Sequence, residues 1–280
     1  MFDICVNTIS KGESGCIRCI DDRLMGTAMS DEIAITSYDD DVKIPTLDFF
    51  THLLHNNICM KIFFPTEMMR GKIIEGNGFN REYEKIMILA GLKKFIEHYT
   101  PYASYEGKYG FKLVFKNGVN IDDTVSVNEV YIILIKLCIN NHSMAFISSF
   151  NSKAFKMHMQ SALNLLHSKG YCHKDLHIGN VVLCVDKKPQ YKLIDFEHMS
   201  KCNKEDGKEE CKMVEDILDK QVKKQAVVSH LMSSVFSRST IGRSKLGGII
   251  KKRTQKMAMK RKSKSKSKRH LGGKEAKKRQ

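Results

Sequence analysis

At 280 residues the chain can hold one globular unit with a sizeable core plus an appendage. Its +16 net charge is unevenly placed: 18 of 47 Lys and Arg and one of 31 acidic residues, Glu275, lie from Arg238 to Gln280, leaving 29 basic against 30 acidic residues before them. The body is therefore near neutral, Met1-Phe-Asp-Ile-Cys-Val lacks the runs of a signal peptide, and no apolar stretch is long enough to cross a bilayer.

The first element is Ile9-Ser10-Lys11-Gly12-Glu13-Ser14-Gly15-Cys16-Ile17. Glycines at 12 and 15 suit a turn whose backbone amides approach phosphate oxygens without a Cβ in the way, although Gly-x-x-Gly by itself is equally an ordinary hairpin turn. Cys16 and Cys19 form the one C-x-x-C, with no second pair at zinc-ribbon spacing. The nine cysteines, an odd number without an export signal, point to a reducing compartment. About 45 residues separate Gly15 from Lys61, and this acidic stretch, with Asp39-Asp40-Asp41, is expected to loop out. Ile58-Cys59-Met60-Lys61-Ile62-Phe63-Phe64 reads as an apolar strand with one internal lysine, whose ammonium is costly to bury unless paired. A helix over Arg81 to Leu89 offers the carboxylate: Glu84 is favoured, since Met87, Ile88 and Leu89 then face the core, and Glu82 is second. Phe111 to Phe115 reads as a strand, and Val130 to Leu137, inside an apolar run broken by Lys136, as a core helix.

Apolar residues at Met159, Leu163 and Leu166 predict an amphipathic helix from Phe155 to His167, stopped at Lys169-Gly170. His173-Lys174-Asp175-Leu176-His177-Ile178-Gly179-Asn180 follows, then Val181-Val182-Leu183 and Lys192-Leu193-Ile194 as a short hairpin, and Asp195-Phe196-Glu197 fifteen residues after the Asn. One carboxylate to orient a hydroxyl, with an amide and a second carboxylate to hold a divalent cation, is the equipment of phosphoryl transfer. Beyond Ser237 no apolar period persists, and Lys262-Ser-Lys-Ser-Lys-Ser-Lys268-Arg269 is self-repelling and expected to be disordered. Such a tail can neutralise DNA or RNA phosphates, direct nuclear import or solubilise; without interleaved aromatics any nucleic-acid binding is sequence-independent.

Taken in order, Ile9 to Met199 resembles the eukaryotic-type serine/threonine protein kinases, and the Asp-Leu-His-x-Gly-Asn loop is similar to that of haspin-like enzymes and of the small kinase-like proteins of large DNA viruses. The resemblance implies an α+β, two-lobed protein-kinase-like fold with a reduced C-lobe and a disordered basic C-terminal tail. Its parts would be an N-lobe over 1–120 with an insertion before Lys61, a helical C-lobe over 121–237, the tail over 238–280, and an adenine-binding hinge near Lys116 to Asn120. It implies ATP and Mg²⁺ as cofactors and transfer of the γ-phosphate to a Ser or Thr hydroxyl of a protein substrate. Asp175 would orient that hydroxyl, Asn180 and Asp195 would hold the metal, Lys61 clamped by Glu84 would grip the α/β-phosphates, and Gly12, Gly15 and Ile17 would cover the nucleotide.

Four departures stand out: the long stretch before Lys61, His177 where a lysine is common, Glu197 in place of the last glycine of Asp-Phe-Gly, and no Ala-Pro-Glu-like segment after it. Phe196-Glu197 also resembles choline and aminoglycoside kinases, so a small-molecule kinase is the alternative, with a pseudokinase scaffold carrying a nucleic-acid-binding tail as the third reading. The expected setting is intracellular, nuclear or cytoplasmic, in a host cell or virion if the protein is viral, with no membrane partner and the oligomeric state open.

Overall fold

The computed structural model describes residues 2–5, 10–11, 15–69, 72–75, 77–92, 94–120, 126–185 and 188–233. Gly12 and the tail from Arg238 lie outside the described residues. The chain divides into two compact units, Met1–Lys224 and Gln225–Gln280; in the second, residues 225–233 are helical.

The first unit begins with β1 (Phe2–Asp3), β2 (Ser10–Lys11) and β3 (Gly15–Cys19), then α1 (Asp22–Met29), β4 (Ile33–Ser37), β5 (Lys43–Ile44), α2 (Thr46–His55) and β6 (Ile58–Phe63). The hairpin β7 (Thr66–Met69) and β8 (Lys72–Glu75) precedes α3 (Gly78–Ala90), α4 (Phe95–Tyr99), β9 (Gly110–Asn120) and β10 (Ser126–Lys136). There follow β11 (Ile139–Asn140), α5 (Met144–Ser148), α6 (Ser152–Ser168), β12 (Tyr171–Cys172), β13 (Val181–Val185), β14 (Pro189–Leu193) and β15 (Ser200–Lys201), with residues 204–224 helical after them. The largest sheet runs β2-β3-β6-β10-β9-β4-β5, with β1 parallel to β9 and the other pairs antiparallel.

The alternation of strand side chains divides this sheet between two cores. On β6, Met60 and Ile62 enter one core with Ile132 and Leu134 of β10 and with Leu24, Phe49, Phe50 and Leu53 of α1 and α2. Phe63 and, from β10, Ile133 enter the other, with Phe79, Tyr83, Ile86 and Leu89 of α3. Lys61 has the parity of Phe63, so its side chain leaves the strand on the α3 face. The second core continues through Phe155, Met159, Leu163 and Leu166 of α6 to Leu183 and Leu193 of the β13–β14 hairpin. Each such buried side chain contributes roughly 1.5–3 kcal/mol relative to exposure.

Several expectations are corrected. Val130 to Leu137 is not a core helix: all but its last residue belong to β10, paired with β6 and β9. A strand buried on both faces loses its alternation and reads like a buried helix; the β-branched Val130, Ile132, Ile133 and Ile135 were the distinguishing signal. Lys116 to Asn120 is accordingly the end of β9 and not a hinge, and the sheet continues past residue 120 to Lys136. The acidic stretch before Lys61 does not loop out. It folds into α1, β4, β5 and α2, and Asp39 and Asp40 accept from the Tyr83 hydroxyl and Lys108 Nζ.

Eight of the nine cysteines pair, as Cys5–Cys16, Cys19–Cys59, Cys138–Cys184 and Cys172–Cys202, leaving Cys211 as an exposed thiol. Cys16 and Cys19 take different partners because residues three apart on a strand face opposite ways. The partners are 11 to 46 residues apart, a spacing with no local signature.

Candidate active site

Helix α6 sets the loop that follows it. Asn151 caps its start, accepting from the Ala154 amide at 2.9 Å, and Gly170 at φ +75° turns the chain out after its end, a left-handed position that favours glycine. The chain then enters β12 and the segment His173 to Asn180. His173 is fully buried, stacks at 4.6 Å on Phe196, and donates from Nε2 to the Ile194 carbonyl at 3.0 Å, tying the loop to the strand end that carries Asp195. Burial pulls its pKa below the usual histidine value, so the ring is neutral there.

Asn180 donates from Nδ2 to both the backbone oxygen and Oδ2 of Asp175, at 2.9 and 3.0 Å. Its own backbone oxygen accepts from the Ile194 amide. Lys174 and Asp195 both adopt left-handed backbone angles, φ +67° and +63°. Such angles cost about 1–3 kcal/mol in a non-glycine residue and persist where the surroundings enforce them. For Lys174 the enforcement is visible: Glu210 Oε1 accepts its amide at 2.7 Å, and Asp206 Oδ2 lies 2.6 Å from its ammonium.

Lys61 forms a short charged hydrogen bond with Glu82, not Glu84. The buried residues of α3 are Gly78, Phe79, Glu82, Tyr83, Ile86 and Leu89, and Glu84 is exposed. Reading the stripe from Phe79 through Ile86 would have put Glu82 inside; anchoring it on Met87, which is 44% exposed, put Glu84 there. Tyr102 completes the pair, its hydroxyl donating to Glu82 Oε1 at 2.7 Å; the sequence carried no sign of it. Burial works to lower the Lys61 pKa, but the charges of Glu82 and Asp195 outweigh it and hold the ammonium above the usual lysine value. Burial first, and Glu82 second, push the Tyr102 hydroxyl well above its usual range, so it remains a donor.

These residues meet in one cavity of about 330 Å³, lined by Gly15, Ile17, Lys61, Glu82, Tyr102, Asn180 and Asp195 among others. Asp195 Oδ1 lies 3.8 Å from Lys61 Nζ. A second cavity of about 320 Å³ shares Ile17, Ile135 and Ile194 and adds Leu137, Cys138 and Val182, a more apolar lining. Gly15 has a structural reason to be glycine: a Cβ there would sit 2.0 Å from the Ile62 carbonyl oxygen. His177 is exposed, with Nε2 3.5 Å from Asp175 Oδ2. Glu197 lies 3.5 Å from Arg81 of α3, so the helix is tied at one turn to both Lys61 and the segment after Asp195.

The donor set fits a hard divalent cation. With the Asn180 amide committed to Asp175, its side-chain oxygen and the Asp195 carboxylate are the oxygens left to the cavity, and carboxylate with carbonyl oxygen suits Mg²⁺ over softer metals.

Residues 139–229 match the family described as the ABC1 atypical kinase-like domain. The match covers about a third of the chain and takes in α6, Asp175, Asn180 and Asp195. At that level the chain is kinase-like; the match is to the ABC1 description and does not reach the haspin-like likeness of the loop. No curated protein matches the sequence.

Proposed function

We propose that the chain is an ATP-dependent phosphotransferase with a two-lobed kinase fold, moving the γ-phosphate to a Ser or Thr hydroxyl of a protein. The observation that carries this reading is the convergence on one cavity of a buried Lys61–Glu82 pair, the Asp175–Asn180 pair and Asp195. The base would occupy the apolar cavity beside Ile135, Leu137 and Val182, and the phosphates the polar one. Lys61, held in place by Glu82 and Tyr102, grips the α/β-phosphates. Asn180 and Asp195 would hold Mg²⁺, which supplies neutralisation of charge on the transferring group. Asp175, oriented by Asn180, accepts the hydrogen bond of the attacking hydroxyl and takes its proton as the bond to phosphorus forms. Supply of the acceptor by a protein rests on the short span after Asp195, where residues 204–224 form one helix and leave no room for a large pocket-forming insertion.

The test is purified protein with labelled ATP and Mg²⁺, given a basic protein or choline as acceptor. Asp175→Asn should bind nucleotide nearly as wild type and lose transfer by about 10²–10⁴-fold. Asp195→Asn should also lose metal-dependent nucleotide binding. Wild-type transfer in both variants would end the phosphotransferase reading, choline labelling would replace protein by a small-molecule acceptor, and no nucleotide binding by wild type would favour a scaffold.

A further inference from the structure

Behind the catalytic loop lies a second cluster of reactive side chains. His167 from the last turn of α6, Cys172 from β12 and Glu210 from the 204–224 helix bring their ligating atoms within 4.8 Å of one another. Cys202, just past β15, is bonded to Cys172 through sulfur. Four segments thus deliver a nitrogen, two sulfurs and a carboxylate oxygen to one place, with Cys172 fully buried, Glu210 at 4% exposure, and a cleft lined by His167, Cys202, Gly207 and Cys211 opening to solvent.

We propose that, once Cys172 and Cys202 are reduced, this cluster binds one zinc ion through Cys172 Sγ, Cys202 Sγ, His167 Nε2 and Glu210 Oε2. Two thiolates, an imidazole and a carboxylate are zinc's usual donors, and four of them close a tetrahedral structural site. Little movement is needed. His167 Nε2 and Glu210 Oε2 are 2.8 Å apart, and ligand bonds of about 2.0–2.1 Å require roughly half an ångström more. The freed sulfurs must separate to about 3.8 Å, the span of two bonds of about 2.3 Å at a tetrahedral angle, which is also their van der Waals contact. Glu210 Oε1 keeps the Lys174 amide throughout, so the metal and the loop carrying Asp175 share one carboxylate. The β12–β15 pairing, Cys172 opposite Ser200, holds the two cysteine segments together in either state.

The redox step balances with a dithiol reductant: two electrons and two protons pass from it to the Cys172–Cys202 bond, giving two thiols and the reductant's own cyclic disulfide. Zinc then displaces both thiol protons to solvent as the sulfur–metal bonds form. Disulfide and zinc are mutually exclusive occupants of this position.

The experiment uses the full chain, prepared metal-free in disulfide and dithiol-reduced forms and titrated with Zn²⁺ against a chelating indicator, and with Co²⁺ for its spectrum. The reduced protein should take up one equivalent with the visible bands of tetrahedral cobalt and a thiolate charge-transfer band, and the oxidised protein none. Mass-spectrometric mapping of alkylated cysteines should show Zn²⁺ shielding Cys172 and Cys202 while Cys211 still reacts. Cys202→Ser and His167→Gln should each weaken binding by about tenfold or more, and Cys59→Ser should not. Binding by the oxidised form, shielding that falls on other cysteines, a cobalt spectrum without thiolate transfer, or no uptake by the reduced wild type would each overturn the assignment, and these readouts decide even if a variant fails to fold.

Discussion

Replacing Glu82 by glutamine keeps the shape of the side chain and a carbonyl to accept from Tyr102, and removes only the charge opposite Lys61. Breaking a fully buried ion pair costs about 3–5 kcal/mol. An exposed pair is worth about 0–1 kcal/mol. Glu82 is nearly inaccessible, but Lys61 is 26% exposed and keeps Asp195 at 3.8 Å, so its charge is not stranded. The expected loss is therefore intermediate, about 2 kcal/mol. For a unit of this size that lowers Tm by about 4–8 °C. Glu84→Gln, on the exposed face of α3, should stay within about 0.5 kcal/mol. Thermal melts of both variants with and without Mg·ATP make the comparison, and phosphotransfer rates should fall at least about tenfold in Glu82→Gln alone. Equal melting temperatures and rates for the two variants would refute the pairing of Lys61 with Glu82 as a stabilising and positioning contact.

Gly15→Ala should cost at least about 2 kcal/mol, because the new Cβ meets the Ile62 carbonyl oxygen at 2.0 Å, whereas Gly26→Ala in α1, with nothing within 4 Å, should stabilise by about 0.4–1 kcal/mol; chemical denaturation of the pair reads the contrast. Burial holds His173 below its usual pKa despite nearby Glu210, Asp175 and Asp195, so the unfolded chain takes up a proton first as pH falls through about 6.5, and stability present above that pH is lost below it. Urea midpoints at pH 7.5 and 5.5 should differ less in His173→Gln than in wild type, and an unchanged difference would place the acid sensitivity elsewhere. Deleting 238–280, with 18 of the 47 basic residues, should abolish a steep salt dependence of DNA or RNA binding while leaving nucleotide binding intact; a slope that survives truncation would put the contact surface on the body.

What could be read from the sequence was what is contiguous. The α6 stripe at Met159, Leu163 and Leu166, the stop at Gly170 and the hairpin flanking the gap between Asn180 and Asp195 each depend on neighbours within a few residues, and each has the expected form. What depended on the other face of an element was not legible. Val130 to Leu137 looks alike as a helix or a central strand until β6 and β9 are known to flank it. Glu82 and Glu84 differ by two positions on one helix, and only the stripe set by Phe79 and Ile86 tells which points inward. Tyr102, Asp206 and Glu210 reach the site from segments with no motif of their own.

The double attachment of α3, through Glu82 to Lys61 and through Arg81 to Glu197, bears on how a nucleotide would experience the cleft. When a binding-competent conformer is only a fraction of the population, apparent affinity falls by that fraction. Here the lysine, its glutamate and the segment after Asp195 are already joined without a ligand, so the competent fraction is close to one and little binding energy is diverted into assembling the site. Turnover in such a molecule follows the supply of nucleotide and acceptor; a modification that merely repositioned α3 would have almost nothing to add, and control would have to come from blocking or withholding the substrates.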